Sequence, residues 1–164
     1  MKIIQPKPPG FEDQVHKFKF EVNTSNERVW RWLNDPDTFT KTQYWPYIVE
    51  FYSPEAGVAS AGFQEGVITN HYGPFINFAG ILTEIKPEEY RDLQYYYGSY
   101  AINFNWIRPY RLEFSTRIVE ENRTEITGRI CCYVKPWISG FWLSMQRRFW
   151  KRFQKWSSKS ILKQ

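Results

Sequence analysis

The sequence predicts an α+β domain in which strands come first, short helices follow the first strand, and a long helix closes the chain. Two observations predict this order. Segments between residues 15 and 134 either alternate apolar and polar side chains or carry apolar runs between turn residues, as strands do. Residues 137 to 158 then place apolar side chains at every third or fourth position, which is the spacing of an amphipathic helix.

Composition limits the class of protein further. The chain has 164 residues, enough for one domain with a substantial core, and its 42% hydrophobic content excludes a disordered chain. No stretch approaches the roughly 18 uncharged apolar residues of a membrane span, and prolines stand where a signal peptide would be apolar. We therefore expect a cytoplasmic protein, with a proline-rich arm at residues 1 to 14 and one domain at residues 15 to 160.

The first strand and the helix after it have clear local signals. Residues 15 to 22 alternate apolar and charged side chains. A short helix should follow, because Thr24 or Ser25 can cap its start and Pro36 stops it, and one more turn fits residues 37 to 41. Further strands are predicted at residues 47–52, 63–72, 75–85 and 93–104.

The last two strands and the final helix have cleaner patterns. Residues 111 to 120 and 125 to 134 alternate regularly around a turn, which predicts an antiparallel hairpin. Cys131 and Cys132 are adjacent and would point to opposite faces of a strand, so no ordinary disulfide is expected. The predicted buried stripe of the helix is Ile138, Phe141, Trp142, Met145, Phe149, Phe153 and Trp156.

The first helix and its flanks carry a family resemblance. The residues concerned are Asn23-Thr24-Ser25, Glu27, Val29-Trp30, Asp35-Pro36 and Tyr44-Trp45. With the order of the elements, this pattern resembles the START-like helix-grip superfamily, which includes polyketide cyclase/dehydrase-like and coenzyme Q-binding relatives. Ser25 replaces the usual proline, and both residues suit a helix start. The resemblance covers residues 15 to 158. It implies a curved antiparallel sheet of about seven strands that grips the C-terminal helix and leaves a cavity for an apolar ligand.

The aromatic run after residue 93 is the candidate lining of that cavity. Leu93, Tyr95 and Tyr97 share one face if the strand is regular, although a bulge at Gly98 would invert everything after it. The alternative is that these rings simply fill a core. The predicted ligand-binding residues are Phe51, Phe78, Leu93, Tyr95, Tyr97, Asn103, Phe104, Trp106, Trp142, Met145 and Phe149.

Catalytic and metal motifs are weak in this sequence. It has no Gly-x-Ser-x-Gly elbow and no phosphate-binding loop. His16 and His71 lie on different predicted strands, so no metal site and no cofactor are expected. His71 with Tyr97 is the candidate acid and base pair if the protein is an enzyme.

Charge is distributed unevenly, and this bears on partners. Residues 126 to 164 hold nine Lys and Arg residues and no acidic residue. A helix of this kind also suits an anionic membrane surface, contacted here by Arg147, Arg148, Lys151 and Lys155. Because the positive charge is local, nucleic acid is not the expected partner.

The sequence therefore predicts a protein that binds or transports an apolar or aromatic small molecule or a lipid. One alternative is an enzyme of the cyclase or hydratase type that acts on such a ligand. The other is a lipid carrier that docks on membranes through its basic helix.

Overall fold

The computed structural model describes residues 4–41, 46–55, 62–100 and 105–163. Seven strands and three α-helices follow one another in the predicted order, and a 3-10 turn at Pro136–Ile138 precedes the last helix. The strands are β1 Glu12–Val22, β2 Ile48–Tyr52, β3 Ile68–Gly73, β4 Ile76–Lys86, β5 Tyr90–Tyr100, β6 Ile107–Glu120 and β7 Arg123–Val134. The helices are α1 Asn26–Asn34, α2 Pro36–Thr40 and α3 Ser139–Ile161.

The strands form one antiparallel sheet in the order β1-β7-β6-β5-β4-β3-β2. The chain begins at one edge with β1, crosses to the other edge with β2, and returns strand by strand to β7 beside β1. The predicted sheet of about seven antiparallel strands, with short helices after the first and a long C-terminal helix, is confirmed.

Local side-chain contacts explain the two short helices. The Ser25 hydroxyl caps α1 by accepting a hydrogen bond from the Arg28 N–H at 3.4 Å. Asp35 ends α1 and caps α2, because its carboxylate accepts from the Asp37 N–H at 2.9 Å and Pro36 takes the first helical position. Trp32 on α1 is fully buried and donates from its indole N–H to Ser160 of α3 at 2.9 Å.

A stack of three residues fixes α3 on the sheet. Gly128 of β7 has no side chain, and the Phe18 ring of β1 fills that space, since a Cβ at Gly128 would lie 2.0 Å from Phe18 Cζ. Trp150 of α3 stacks on the same ring with centroids 4.1 Å apart. Its indole N–H donates to Gln146 Oε1 at 2.7 Å, so its polar atom is satisfied although the residue is buried.

The register of α3 differs from the predicted one. Trp142 is buried as predicted, and Ile138, Phe153 and Trp156 are partly buried against the core. Phe141, Met145 and Phe149, by contrast, are 63%, 41% and 56% exposed. The buried stripe is Trp142, Gln146, Trp150, Ser157 and Ile161. Both stripes have helical spacing, and stacking of Trp150 on Phe18 selects the observed one, because it buries the larger ring.

Several element boundaries also differ from the predicted ones. β1 begins at Glu12, so the predicted boundary between arm and domain falls inside this strand. β3 begins at Ile68 rather than residue 63, because Gly66, with φ of +91°, forms a turn before it. β5 runs from Tyr90 to Tyr100, and residues 101–104 lie outside the described part. Within the described residues, no helix combines the length and the hydrophobicity needed to cross a membrane.

Candidate functional site

The buried apolar side chains form two clusters. The first joins α1 and α3 to β1, β6 and β7, and includes Phe18, Trp32 and Trp150. The second lies on β2 to β5 and includes Phe78 and Tyr95. Among the described residues, four partly buried side chains pack against both clusters: Phe39, Ile85, Tyr100 and Leu112. Helix α3 therefore packs on one half of the sheet, and the inner face of β2 to β5 belongs to a separate cluster.

One flank of α3 is apolar and exposed. Arg147, Trp150 and Lys151 turn toward β1, because they line a depression together with residues of that strand. At 100° per residue, Phe141, Met145 and Phe149 lie on the other flank of the buried stripe. Since β1 is one edge of the sheet and β2 is the other, this flank points toward the second cluster. The side chains are exposed rather than packed in it.

His71 of β3 lies on the inner face of the second cluster. Its ring stacks on Phe78 with centroids 4.7 Å apart, and the Tyr95 ring lies 5.9 Å away. Nε2 lies 3.1 Å from the hydroxyl oxygen of the fully buried Thr69. Burial lowers the pKa of His71 to about 4, because the charged imidazolium loses its hydration. The imidazole is therefore neutral at physiological pH.

Two tyrosines of β5 surround Phe78 from the other side. The Tyr95 and Tyr100 rings lie 5.0 and 4.9 Å from the Phe78 ring, and Tyr100 also contacts Trp142 of α3 at 4.6 Å. Burial raises the pKa of both hydroxyls well above the usual range. Both stay protonated and can donate a hydrogen bond. Neither hydroxyl has a hydrogen-bond partner among the described residues.

Cys132 of β7 lies at the edge of this group of side chains. Its side chain is 2% exposed, and burial raises its pKa, while the neighbouring Trp142 indole acts in the opposite direction. Since the thiolate is the reactive form of cysteine, this thiol is a poor nucleophile. Cys131 is also buried, and both cysteines are free thiols.

Other candidate sites in the described part of the chain are limited. One open depression of ≈ 430 Å³ is lined by residues of α1, β6 and the turn between β4 and β5, including Asn26 and Glu88. A second, of ≈ 330 Å³, is the one between β1 and α3. No group of three or more His, Cys, Asp or Glu residues within the described ranges is arranged to hold a metal ion.

Solved structures with the same architecture include an enzyme with bound aromatic compounds. Norcoclaurine synthase from Thalictrum flavum, in complex with dopamine and hydroxybenzaldehyde, is 15% identical, with a TM-score of 0.66 over 94% of this chain and 89% of that one. An uncharacterized protein from Rhizobium leguminosarum is 9% identical, with a TM-score of 0.62 over 91% and 97% of the two chains. A protein in the dynemicin biosynthetic locus is 14% identical, with a TM-score of 0.60 over 90% of this chain and 47% of that one.

The chain has the helix-grip fold. The START-like resemblance predicted from the sequence is thus confirmed for the fold. Searches against protein-family models and against curated proteins give no match. At 9% to 15% identity the three neighbours establish the helix-grip architecture alone.

Four of the eleven predicted ligand-binding residues lie on the inner side of the helix-grip sheet. Phe51, Phe78, Leu93 and Tyr95 are buried in the second cluster. Trp142 is buried under α3, at the point where that helix meets Tyr100. The partly buried Trp106 contacts Trp137 at 4.5 Å. Asn103 and Phe104 lie outside the described residues.

Tyr97 lies on the wrong face for its predicted role. β5 pairs Tyr95 with Gly80 and Tyr97 with Ala79, so Tyr96 is an extra residue in a bulge. The bulge inverts the alternation two residues before Gly98, the position at which the sequence suggested it. Tyr97 is consequently 57% exposed.

The proposed acid and base pair is therefore not formed. Ala79, the partner of Tyr97, pairs with Asn70 of β3, and His71 is the next residue along that strand. Neighbouring residues of a strand point to opposite faces, so His71 and Tyr97 lie on opposite sides of the sheet. Tyr95 takes the place beside His71.

Sequence reasoning missed Tyr100 and Arg91. Tyr100 returns to the inner face after the bulge, which no local pattern reveals. The guanidinium of Arg91 is buried, donates to the Leu33 carbonyl oxygen, and lies over the rings of Phe63 and Phe114 at 4.8 and 5.3 Å. Burial lowers its pKa to about 10, so it remains charged at neutral pH. Its neighbours in the chain, Tyr90 and Asp92, are polar and give no sign of its burial.

Proposed function

We propose that this protein binds a small, neutral, largely aromatic molecule between the exposed flank of α3 and the inner face of β3 to β5. The observation that carries this proposal is the pair of protonated hydroxyls on Tyr95 and Tyr100, which have no hydrogen-bond partner among the described residues. A hydroxyl in apolar surroundings favours a hydrogen-bond partner, and a ligand or water can supply one here.

The surroundings of these hydroxyls favour an aromatic ligand. Phe78 and Trp142 present ring faces beside them, and Met145 and Phe149 supply exposed apolar area on the flank of α3. Rings and thioethers contribute apolar contact with little loss of side-chain freedom. The norcoclaurine synthase neighbour is described with two small aromatic compounds, dopamine and hydroxybenzaldehyde, which is consistent with a ligand of this size.

The charges of the site favour a neutral ligand with a hydrogen-bond acceptor. His71 is neutral, and the buried cation of β5, Arg91, is held by the Leu33 carbonyl. A carboxylate ligand would therefore lose its hydration without gaining a cation. A ketone or ether oxygen, by contrast, would accept from either tyrosine hydroxyl.

Binding is favoured over catalysis by the state of His71. A general base works best when its pKa lies near the working pH, and that of His71 is about 4. Cys132 is also held in its unreactive thiol form. A cyclase or hydratase activity on the bound ligand would need proton transfer by Tyr95 or Tyr100, whose pKa values burial raises further from neutrality.

A matched series of naphthalene compounds tests the binding proposal. We expect 2-acetylnaphthalene to raise the melting temperature more than 2-ethylnaphthalene, which lacks the carbonyl oxygen, and 2-naphthoate to raise it least. Tyr95→Phe keeps the ring and removes the hydroxyl, so it should weaken binding of the ketone by about tenfold and leave the hydrocarbon unaffected. Affinity for the ketone should be constant between about pH 6 and pH 8, because neither His71 nor Tyr95 titrates there.

Tyr97→Phe is the control, since it removes a hydroxyl from the exposed face of the same strand. It should change the affinity for none of the three compounds. If none of them binds the wild-type protein in calorimetry, the proposed function is wrong. Equal affinity for the ketone and the hydrocarbon would overturn the role of the tyrosines alone.

A second candidate function, docking on an anionic membrane, is favoured by the surface of α3. Phe141 and Phe149 are exposed on the same helix as the basic residues, all four of which are also exposed: Arg147, Arg148, Lys151 and Lys155. Exposed rings beside cations are typical of helices that lie at the boundary between lipid headgroups and acyl chains. A carrier that collects an apolar ligand from a membrane would use such a surface.

Co-sedimentation with vesicles tests this second candidate. We expect the wild-type protein to sediment with vesicles that contain phosphatidylserine at low salt and to be released as the salt concentration rises. Changing the four basic residues to glutamine should abolish sedimentation and change the free energy of unfolding by less than about 1 kcal/mol.

The control variant removes the same number of exposed positive charges elsewhere, through glutamine substitutions at Lys7, Arg31, Lys41 and Lys86. It should sediment almost as well as the wild type. Equal loss of sedimentation in both variants would mean that net charge, and not the surface of α3, attracts the protein to the vesicles.

A further inference from the structure

The two central strands β5 and β6 are paired along part of their length. Their ladder runs from Tyr90 with Ser115 to Gln94 with Arg111, and resumes at the single pair of Tyr100 with Ile107. Between these points, residues 95–98 of β5 and residues 108–110 of β6 form no ladder pairs with each other. We call this gap the seam. A gap inside a sheet costs free energy, because backbone groups without ladder partners need other hydrogen-bond partners.

The sequence explains why the seam exists. Pro109 of β6 has no N–H and cannot donate to β5. On β5, the bulge at Tyr96 and the positive φ of Gly98, +99°, turn the strand away from a regular ladder. A second irregularity in β6 lies next to Pro109, between the pairs that it and Arg111 make with β7. Both strands therefore carry built-in breaks at the same level of the sheet.

Gln5 of the N-terminal arm closes the seam. Its side chain is 2% exposed, although the adjacent Pro6 and Lys7 are exposed. The Gln5 Nε2 atom donates to the Gly98 carbonyl oxygen at 3.2 Å and to the Pro109 carbonyl oxygen at 2.5 Å, so one amide group bridges both strands.

Two further hydrogen bonds fix Gln5 in this position. Its backbone N–H donates to the Tyr95 carbonyl oxygen at 3.1 Å. Its side-chain oxygen accepts from Arg108 Nε at 2.7 Å. The N–H groups of Gln5 thus donate to three strand carbonyls, those of Tyr95, Gly98 and Pro109. These hydrogen bonds take the place of the missing ladder bonds.

The seam coincides with the division of the core into two clusters. β6 lies in the half of the sheet that carries α3, and β5 lies in the half that carries the second cluster. Tyr95 lies within the seam and Tyr100 follows it along β5, and both side chains point into the interior. An opening at this place would connect the outer face of the sheet with the proposed ligand site.

We propose that Gln5 is a latch: its release separates β5 from β6 at the seam and opens a route to the Tyr95 and Tyr100 hydroxyls. The latch itself is independent of any ligand, whereas its use as an entry route rests on the proposed function. Release breaks the four hydrogen bonds of one residue on an arm whose next residues are exposed. Separating β1 from β7, or β3 from β4, would instead break a ladder without register shifts.

Hydrogen exchange of backbone amides tests the latch in two variants. Gln5→Glu keeps an oxygen for Arg108 but loses both N–H donors, and Gln5→Ala loses the whole side chain. In both, we expect the amides of residues 95 to 100 and of residues 107, 108 and 110 to exchange about tenfold faster than in the wild type, as loss of two hydrogen bonds to buried carbonyls implies. Exchange along the ladder between β1 and β7 should stay unchanged.

Lys7→Ala is the matched control, because it alters an exposed residue of the same arm. It should leave exchange at the seam at the wild-type rate. Unchanged exchange at the seam in both Gln5 variants would overturn the latch, and so would an equal increase in all strands, which is the result of global destabilisation.

The entry route has its own readout. Quenching of tryptophan fluorescence in a stopped-flow instrument gives the association rate of 2-acetylnaphthalene, which should rise about tenfold in Gln5→Glu, in parallel with exchange. Faster exchange with an unchanged association rate would show that the latch holds the seam but that ligand enters elsewhere. Absence of binding to the wild type would contradict the proposed function, while the exchange rates would still decide whether the latch exists.

Discussion

Trp150→Ala is expected to lower the free energy of unfolding by about 3 to 5 kcal/mol, while Phe149→Ala lowers it by less than about 1 kcal/mol. Trp150 is 5% exposed and stacks on Phe18 over Gly128, so its removal leaves a cavity between α3 and the sheet. It also leaves the buried Gln146 oxygen without its donor. The Phe149 side chain is 56% exposed and has little packing to lose.

Urea denaturation of the two variants measures this difference. Trp150→Phe is a more conservative variant that keeps a ring stacked on Phe18. Its loss of unfolding free energy should lie between those of the other two variants, and it can be measured even if Trp150→Ala does not fold. A large loss in Phe149→Ala together with a small loss in Trp150→Ala would restore the helix register that the sequence predicted.

Gly98→Ala is expected to destabilise the protein by about 3 kcal/mol or more. The residue has a φ of +99°, and a Cβ atom there would lie 1.9 Å from the Asn77 carbonyl oxygen and 2.4 Å from the Phe78 Cα. These neighbours are backbone atoms of β4, so neither can move aside without breaking the pairing of β4 with β5. The effect should also appear as faster hydrogen exchange at Phe78.

Gly140→Ala provides the comparison for Gly98. Gly140 lies in α3, where a Cβ atom would have no described neighbour within 4 Å, and alanine favours a helix more than glycine does. This variant should be about 0.5 to 1 kcal/mol more stable than the wild type, as measured by thermal unfolding. Equal effects of the two substitutions would mean that the conformation of Gly98 is not constrained as described.

The order of the elements could be predicted from the sequence because each has a local cause. Alternation in β1, β6 and β7 and the caps Ser25 and Asp35 act within a few residues. Helix register depended on a contact between distant parts of the chain. Residues 138 to 156 carry apolar side chains on more than one flank, and the choice between two stripes was made by Phe18 and Gly128, which no helical pattern contains.

The site was predictable only where the strands are regular. Phe78, Leu93 and Tyr95 follow the alternation and were placed on the inner face. Tyr97 was misplaced and Tyr100 was missed for one reason, the bulge at Tyr96, since a single extra residue inverts every later side chain. No local sequence pattern around Gln5 indicates its role, because its partners are 90 or more residues away.

Because the core is divided into two clusters, the two halves of the sheet should tolerate substitutions to different degrees. Substitutions at Phe51, Leu82 or Leu93 act on a cluster that α3 does not cover, and substitutions around Trp32 and Trp150 act on the cluster that anchors both helices. Away from the four side chains that pack against both clusters, the effects of substitutions in the two halves should add nearly independently. Selection can therefore reshape the side chains of β2 to β5 for a new ligand while the helices and β1, β6 and β7 supply unchanged stability. Laboratory evolution of specificity should accumulate its mutations in that half.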